Sequence, residues 1–583
     1  MEFKLDYIKD NESRNDISDF LNVSNIQNYN PIYNLFFKLN EANFNNIQLN
    51  EQYKINSITK RNEHNIFTCD LHNTKDNTIS TKDMFVKFAP IIDPTKYLIG
   101  KYDISNKNLF NLPTLEQTTT TDILDTKKKN MFNSAYTDGF FSFLSSKLLH
   151  NHSVLNANDF YGSFVGNQLD FRCNVYDDID YLCDSDFFHK HKEHLFTVDD
   201  TFYDDIDSGD SRNNKKKLQI NNKNVSLSSV HAFTDDIYDN IFETTEENIQ
   251  QSLSESNIIS IDSIDITDEC INLIHGGNHS KTNSSHSSCS SRTSVTDNNN
   301  DSELESLDSG EESGEDSAGS SNESDINENV FAHISNFPVN IIALEKCHDT
   351  LDSYIMSEDI TDEEWSAILL QVIFTLLIYQ KTFQFTHNDL HTNNIMYNET
   401  DKQFMYYNFK NKYYKVPTFG KIWKIIDFGR AIYKFKSQTI YSDCFEKGED
   451  ADGQYNCEPF LNNTKTIIEP NMSFDLCRLG CSLFDFFIED VENFKRSKLT
   501  PIQKIAVDWC YDDNNKNILY KKNGDERYPE FKLYKMIART VHKHTPENQL
   551  EHDVFSNFQI GRKKLNASHM KKVLHIDTLP NYA

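Results

Sequence analysis

Glycine is scarce in this chain, and where it is missing matters more than the count. Only 17 of the 583 residues are glycine, and none precedes Gly100. A loop of closely spaced glycines, the kind that lets backbone amides close on a phosphate, is therefore excluded from everything before Gly100. Proline is scarcer still, at 12 residues, against abundant Asn, Lys, Ile, Phe and Tyr, a composition that AT-rich genomes encode. The 11 cysteines are scattered, odd in number and never spaced C-x-x-C, which excludes a disulfide framework and suits free thiols in a reducing compartment. Basic charge is also short: 58 Lys and Arg face 89 Asp and Glu, a formal net charge of −31, which argues against general nucleic-acid binding. No apolar leader is visible in MEFKLDYIKDNESR. The run EDITDEEWSAILLQVIFTLLIYQ (358–380) is interrupted by Gln371 and Thr375 and is amphipathic, so no membrane span is expected.

What is present is a pair of short motifs. FTHNDLHTNNIMY (residues 385–397) is followed by WKIIDFGRA (423–431). Together they set an Asp, an Asn and a second Asp in the order that phosphoryl transfer needs. Asp389 would accept the proton of an attacking hydroxyl, and Asn394 and Asp427 would hold a Mg2+ ion bridging ATP phosphates. The pair resembles the H-x-D-x-x-x-x-N and D-F-G motifs of the protein-kinase-like superfamily, with His387, Asp389, Asn394, Asp427, Phe428 and Gly429 at the matching positions. The wording departs from typical protein kinases, because Asn388 replaces the Arg of H-R-D and His391 replaces the Lys two residues after the Asp. HNDLH is closer to small-molecule kinases of the same superfold. Without the Arg, pairing with an activation-loop phosphate is not expected. With His391 beside the transferring group, charge support would depend on its protonation.

Further tracts fit this resemblance. KDMFVKFAP (82–90) resembles the strand that carries the phosphate-binding lysine, here Lys87. SAYTDGFFSFLSSKLL (134–149) is the helix expected to supply its acidic partner, Asp138, although Gly139 weakens it. FYGSFVG (160–166) resembles the next strand, and FPVNIIALEKCHDTLDSYI (337–355) the last strand and hinge, where backbone groups from Glu345 to Cys347 would read an adenine edge. EDITDEEWSAILLQVIFTLLIYQ reads as a long helix opened by a Thr361/Glu364 capping box. SFDLCRLGCSLFDFF (473–487) resembles the buried helix whose first-turn Asp, here Asp475, braces the catalytic loop; Cys477 and Cys481 on it read as core residues, not as metal ligands. The stretch between the two motifs reads as a turn or short strand, and residues 430–473 as a polar loop. The phosphate-covering hairpin is expected to turn at KRNEHN (60–65), with no glycine.

The resemblance implies an α+β, bilobal fold with a β-rich N-lobe and a helical C-lobe. It places residues 1–176 in the N-lobe, 177–330 in an acidic Ser/Asn-rich insertion, 331–347 in the last strand and hinge, and 348–583 in the C-lobe. Residues 279–329 are expected to be disordered, because so polar a segment buries too little apolar surface to offset chain entropy. Ser309, Ser313 and Ser320 have an acid three residues on, a pattern similar to that favoured by acidophilic casein-kinase-type enzymes, so phosphorylation or binding of a basic partner stands beside the favoured reading of a solvated acidic spacer. Tracts such as FVKFAPIIDPTKYLIGKYD are similar to protein-kinase-like proteins of giant nucleocytoplasmic DNA viruses, the mimivirus group. That likeness implies a serine/threonine protein kinase acting on an unidentified protein in the cytoplasm of a host cell or in a virion. Two rivals stand beside it: a small-molecule kinase, and a nucleotide-binding pseudokinase or scaffold lacking the glycine loop.

Overall fold

In the strand Ile79–Pro90, Met84, Val86 and Phe88 are buried in one core, and the alternation turns Phe85, Lys87 and Ala89 to the opposite face. A long amphipathic strand of this kind must be covered on both faces, and the fold is built around that need. The computed structural model describes residues 7–9, 15–115, 123–199, 330–488, 491 and 495–583.

Strands β1 (Val23–Gln27), β2 (Tyr53–Arg61), β3 (Ile66–Asn73), β4 (Ile79–Pro90), β5 (Phe160–Asn174), β6 (Phe196–Val198) and β7 (Phe331–Glu345) make one seven-stranded sheet. Its order is β1-β5-β7-β4-β3-β2, with β6 also on β7, and every pairing is antiparallel. Helices α1 (Ile123–Lys129) and α2 (Ser134–His152) join β4 to β5. Asn133 caps α2 by accepting the Ala135 N–H. Gly139 does not interrupt α2: a Cβ there would lie 3.1 Å from Asn340 Nδ2 and 3.2 Å from Ser163 Oγ, so the glycine lets the helix approach the sheet closely.

The second half is mainly helical. It contains α3 (Asp362–Phe383), α4 (Phe474–Phe487), α5 (Pro501–Trp509) and α6 (Lys532–Thr540), with strands β8 (Ile395–Glu399), β9 (Phe404–Phe409), β10 (Lys412–Pro417) and β11 (Lys421–Ile425) between α3 and α4. Helix α3 is long and apolar enough to cross a membrane, yet 89% of its apolar window is buried against this core. Its capping box is half formed. Thr361 Oγ1 accepts the Glu364 N–H, but the Glu364 carboxylate receives the Tyr354 hydroxyl at 2.8 Å instead of closing back on Thr361. Helix α4 faces two cores: Leu476, Leu479 and Leu483 pack with α3, while Cys477 and Cys481 pack toward α5 and α6. The chain is thus a mixed α+β protein.

Two segments differ from the sequence reading. The stretch between the motifs is a full hairpin, β9 and β10, extended by Gln559–Ile560 and Val573–His575 into a four-stranded sheet. Its turn residues Lys410 and Asn411 both have positive φ (48° and 61°), which matches the right-handed twist of tightly joined strands. Second, residues 177–199, at the start of the stretch read as an insertion, are folded on the sheet: Leu182, Phe188 and Phe196 are buried in the sheet core, and β6 pairs with β7. The expected disorder of residues 279–329, and the serines at 309, 313 and 320, lie outside the described residues.

Candidate active site

The loop at residues 385–394 is pinned before it can present any side chain. Asp475, in the first turn of α4, is fully buried and accepts the N–H of His387 at Oδ2 and of Asn388 at Oδ1, both at 2.9 Å. The bend this requires puts Asn388 at φ 67°, a conformation that Asn tolerates better than most residues. Asn388 itself is a buried bracket. Its amide nitrogen donates to the carbonyls of Arg430 (2.9 Å) and Thr386 (3.3 Å), and its amide oxygen accepts the Tyr455 hydroxyl. A charged Arg side chain has no place in so enclosed a site. His387 Nε2 donates to the Ile426 carbonyl at 2.8 Å, and its Nδ1 accepts the Asp389 N–H at 3.3 Å, tying the loop to the end of β11.

Strand β11 then delivers Asp427 in a left-handed conformation, φ 61°. Lys87 Nζ lies 2.8 Å from Asp138 Oδ2 on α2 and 2.9 Å from Asp427 Oδ1. Burial alone would lower the Lys87 pKa, but the two carboxylates outweigh it and hold the ammonium charged, above the usual lysine range. The Phe428 N–H donates to Asp138 Oδ1 at 3.0 Å, and the Phe428 ring packs on Phe141 (4.7 Å) and Phe385 (5.9 Å). One lysine between two aspartates leaves the buried cluster net negative.

The oxygen inventory fits a hard cation. The Asn394 nitrogen donates to the Asp389 carbonyl (2.9 Å) and to His391 Nε2 (3.1 Å), so its Oδ1 carries no hydrogen bond among the described residues. Asp427 uses Oδ1 for Lys87 and for the Gly429 N–H, leaving Oδ2 without a hydrogen bond among the described residues. Two such oxygens, an amide and a carboxylate, form a partial ligand set of the kind that Mg2+ completes with water and phosphate. Among the described residues no group of three or more His, Cys, Asp or Glu side chains could hold a metal alone, including the His-rich stretch at 189–194 and the Cys477/Cys481 pair.

Asp389 Oδ1 accepts the hydroxyl of Tyr534, on α6, at 2.7 Å, and Arg478 Nε donates to the same tyrosine oxygen at 2.9 Å. Burial would raise the Asp389 pKa, but Arg430, Arg478 and the tyrosine hydroxyl hold it well below the usual carboxylate range. Its Oδ2 faces no hydrogen-bond donor among the described residues. The expectation for His391 is corrected here. Burial brings its pKa down to about 4, so the ring is neutral at pH 7, and it accepts the Asn394 N–H instead of supplying charge. The positive charge near Asp389 comes from Arg430 and Arg478. Sequence reasoning missed both, along with Tyr534. Arg430 follows the D-F-G triplet directly, but nothing local marks Tyr534, which lies 145 positions away from Asp389.

The hinge residues divide. The Glu345 N–H donates to the Asp159 carbonyl at 2.9 Å, and its carboxylate takes Lys424 (2.6 Å) and Asn398 (2.9 Å). Its amide is therefore not open to a purine, which corrects part of the expectation. Cys347 is buried with Met396 and Ile426 in a small apolar patch, and its backbone N–H and carbonyl carry no hydrogen bond among the described residues. At the expected phosphate-covering hairpin, between β2 and β3, the N–H groups of Asn62 and Glu63 both donate to the Ile66 carbonyl (2.8 and 3.2 Å).

No family model matches the chain. Over 206 residues, 34% of the chain, it is 30% identical to a putative serine/threonine-protein kinase of Acanthamoeba polyphaga mimivirus. The match covers 48% of that protein, so the chain spans about half the length of the curated relative it matches.

Proposed function

We propose that the chain is an ATP-dependent protein kinase of the bilobal protein-kinase-like fold, which moves the γ-phosphoryl of Mg-ATP to a Ser or Thr hydroxyl of a protein. The observation that carries this reading is the buried Asp138–Lys87–Asp427 triad, at 2.8 and 2.9 Å, assembled from α2, β4 and the end of β11. Lys87 holds phosphate oxygens in place of one carboxylate as nucleotide enters. Asn394 Oδ1 and Asp427 Oδ2 would hold Mg2+, which would supply neutralisation of charge developing on the phosphates. The Cys347 backbone and the patch with Met396 and Ile426 receive the adenine. Asp389 Oδ2 takes the hydroxyl proton as the new O–P bond forms and the bond to the β-phosphate oxygen breaks. The distant likeness to a viral kinase supports the same class of chemistry.

A second reading, a nucleotide-binding scaffold, is favoured by the hairpin amides of Asn62 and Glu63, which close on Ile66 and not outward. One experiment separates the readings. Wild type, Asp389→Asn and Asp427→Asn are given γ-labelled ATP with mixed proteins and with a metabolite pool. Protein Ser/Thr labelling that falls about a thousandfold in both variants supports the kinase. Labelling of metabolites alone identifies a small-molecule kinase, and equal background in all three identifies the scaffold.

A further inference from the structure

The stretch that follows the D-F-G triplet is fastened to α1 and α2 by carboxylates. Asp443 Oδ1 accepts the N–H of Ser134, the first residue of α2, at 2.9 Å, and the Asp443 N–H donates to the Phe132 carbonyl at 2.8 Å. Lys127 of α1 lies 3.3 Å from Asp443 Oδ2 and 2.9 Å from Glu449 Oε2. Lys96, in the short helix Pro94–Leu98, reaches the same Glu449 oxygen at 3.0 Å and the Gly448 carbonyl at 3.3 Å. Asn130 adds a bond to Glu446 at 3.0 Å. A cavity of about 60 Å³ is lined by this clamp and by Lys87 and Asp138, so the two sets of ions share one space.

Asp443 is only 2% exposed, and its carboxylate meets the first turn of α2, where N–H groups without an acceptor inside the helix and the helix dipole favour an anion. Asp138 sits one turn further along the same helix. Segments in this position elsewhere gain such an anion when a hydroxyl is phosphorylated and new pairs to basic residues form. In this chain two carboxylates already face two lysines, and the nearby Ser442 is buried, its hydroxyl oxygen accepting the Cys444 N–H.

We propose that Asp443 and Glu449 are positioning residues that hold α2 so that Asp138 meets Lys87, and that no phosphorylation of residues 437–450 is needed for activity. The inference rests on the phosphotransferase reading for its activity readout. The test uses the full chain, before and after phosphatase treatment, and the double variant Asp443→Asn, Glu449→Gln, whose near-isosteric amides keep the hydrogen-bond acceptors and remove the charge. Phosphatase-treated wild type is expected to keep its full turnover. The double variant is expected to bind Mg-ATP about tenfold or more weakly, and its amides at 134–138 to exchange hydrogen faster. Lys96→Gln, which breaks only the outer part of the clamp and spares α2, gives a smaller change in the same direction. Loss of turnover on phosphatase treatment, or Mg-ATP affinity in both variants equal to wild type, overturns the proposal. A purely structural role would lower the melting temperature of the double variant with no change in affinity, and that result also overturns it. If wild type neither binds Mg-ATP nor transfers phosphate, the kinase reading fails, and exchange at 134–138 decides the clamp alone: faster in the variant supports it, unchanged overturns it.

Discussion

Tyr534 shows how a single hydroxyl can shape a carboxylate 145 positions away. It donates to Asp389 Oδ1, and in the proposed reaction this would leave Oδ2 to take the hydroxyl proton. Tyr534→Phe is expected to lower kcat about tenfold, with KM for ATP unchanged, and to cost about 1–2 kcal/mol of stability in a urea titration. His391 makes the opposite case. With its pKa held down to about 4 by burial, it does not titrate near neutrality, so kcat is expected to be flat from about pH 6 to 8 apart from general instability. A rise or fall of kcat tracking a group near pH 6.5 would contradict this assignment. Glu51 carries a pH dependence of a different kind. Burial raises its pKa from 4.5 to about 7, against Lys54, and its Oε2 has no hydrogen-bond partner among the described residues. The folded state therefore binds a proton more readily than the unfolded state. The penalty for the buried charge is fully present above pH 7 and is relieved as pH falls toward 4.5. Glu51→Gln is expected to stabilise the chain by about 1–3 kcal/mol at pH 8 and by little at pH 5, measured by thermal melts at both.

At the scale of elements, the contact between α4 and α5 has no slack. A Cβ on Gly480 would lie 2.8 Å from Trp509 Cβ and 2.9 Å from the Ala506 carbonyl oxygen, both on α5. Gly480→Ala is expected to destabilise the chain by about 1–3 kcal/mol in spite of alanine's better helix propensity, as a shifted urea midpoint would report. Elements of this kind also mark what could be read from the sequence. Helix α3 was legible because a cap and a periodic apolar face lie within its segment, and α2 because its run of aromatic and aliphatic residues holds no proline. Asp389, Asn394 and Asp427 were legible as candidates because two short motifs fix their places, Lys87 because its strand precedes them in order, and Asp138 only as the acid on the helix between. The β9–β10 hairpin was misread: its aromatic alternation is clear, but the turn signal is one Asn between lysines, without a glycine. The strand and packing of residues 177–199 were not specified by the sequence because their buried residues, Leu182, Phe188 and Phe196, are few and sit among charges. Tyr534, Arg478 and Asp443 were not legible, since each acts on a partner far away in sequence and nothing in its own neighbourhood signals that partner.

At the scale of the whole molecule, the two ends of the long insertion are already joined. β6 and β7 pair with Val198 opposite Ala332, and the Asp199 N–H donates to the Phe331 carbonyl at 3.0 Å. Replacing residues 200–329 with a short Gly/Ser linker is therefore expected to leave the melting temperature within a few degrees of the full chain, because closing a shorter loop costs less entropy. A collapse of the melting temperature on excision would show that the removed residues pack on the fold. The same register fixes where residues 199 and 330, on either side of that stretch, lie on the sheet. Along β7, from Ala332 to Ile342, the residue opposite Lys87, the strand runs roughly 33 Å at about 3.3 Å per residue. A fluorescent reporter grafted between Val198 and Ala332 would thus be moored at the far rim of the sheet, and it offers a way to follow this molecule without a label crowding Lys87.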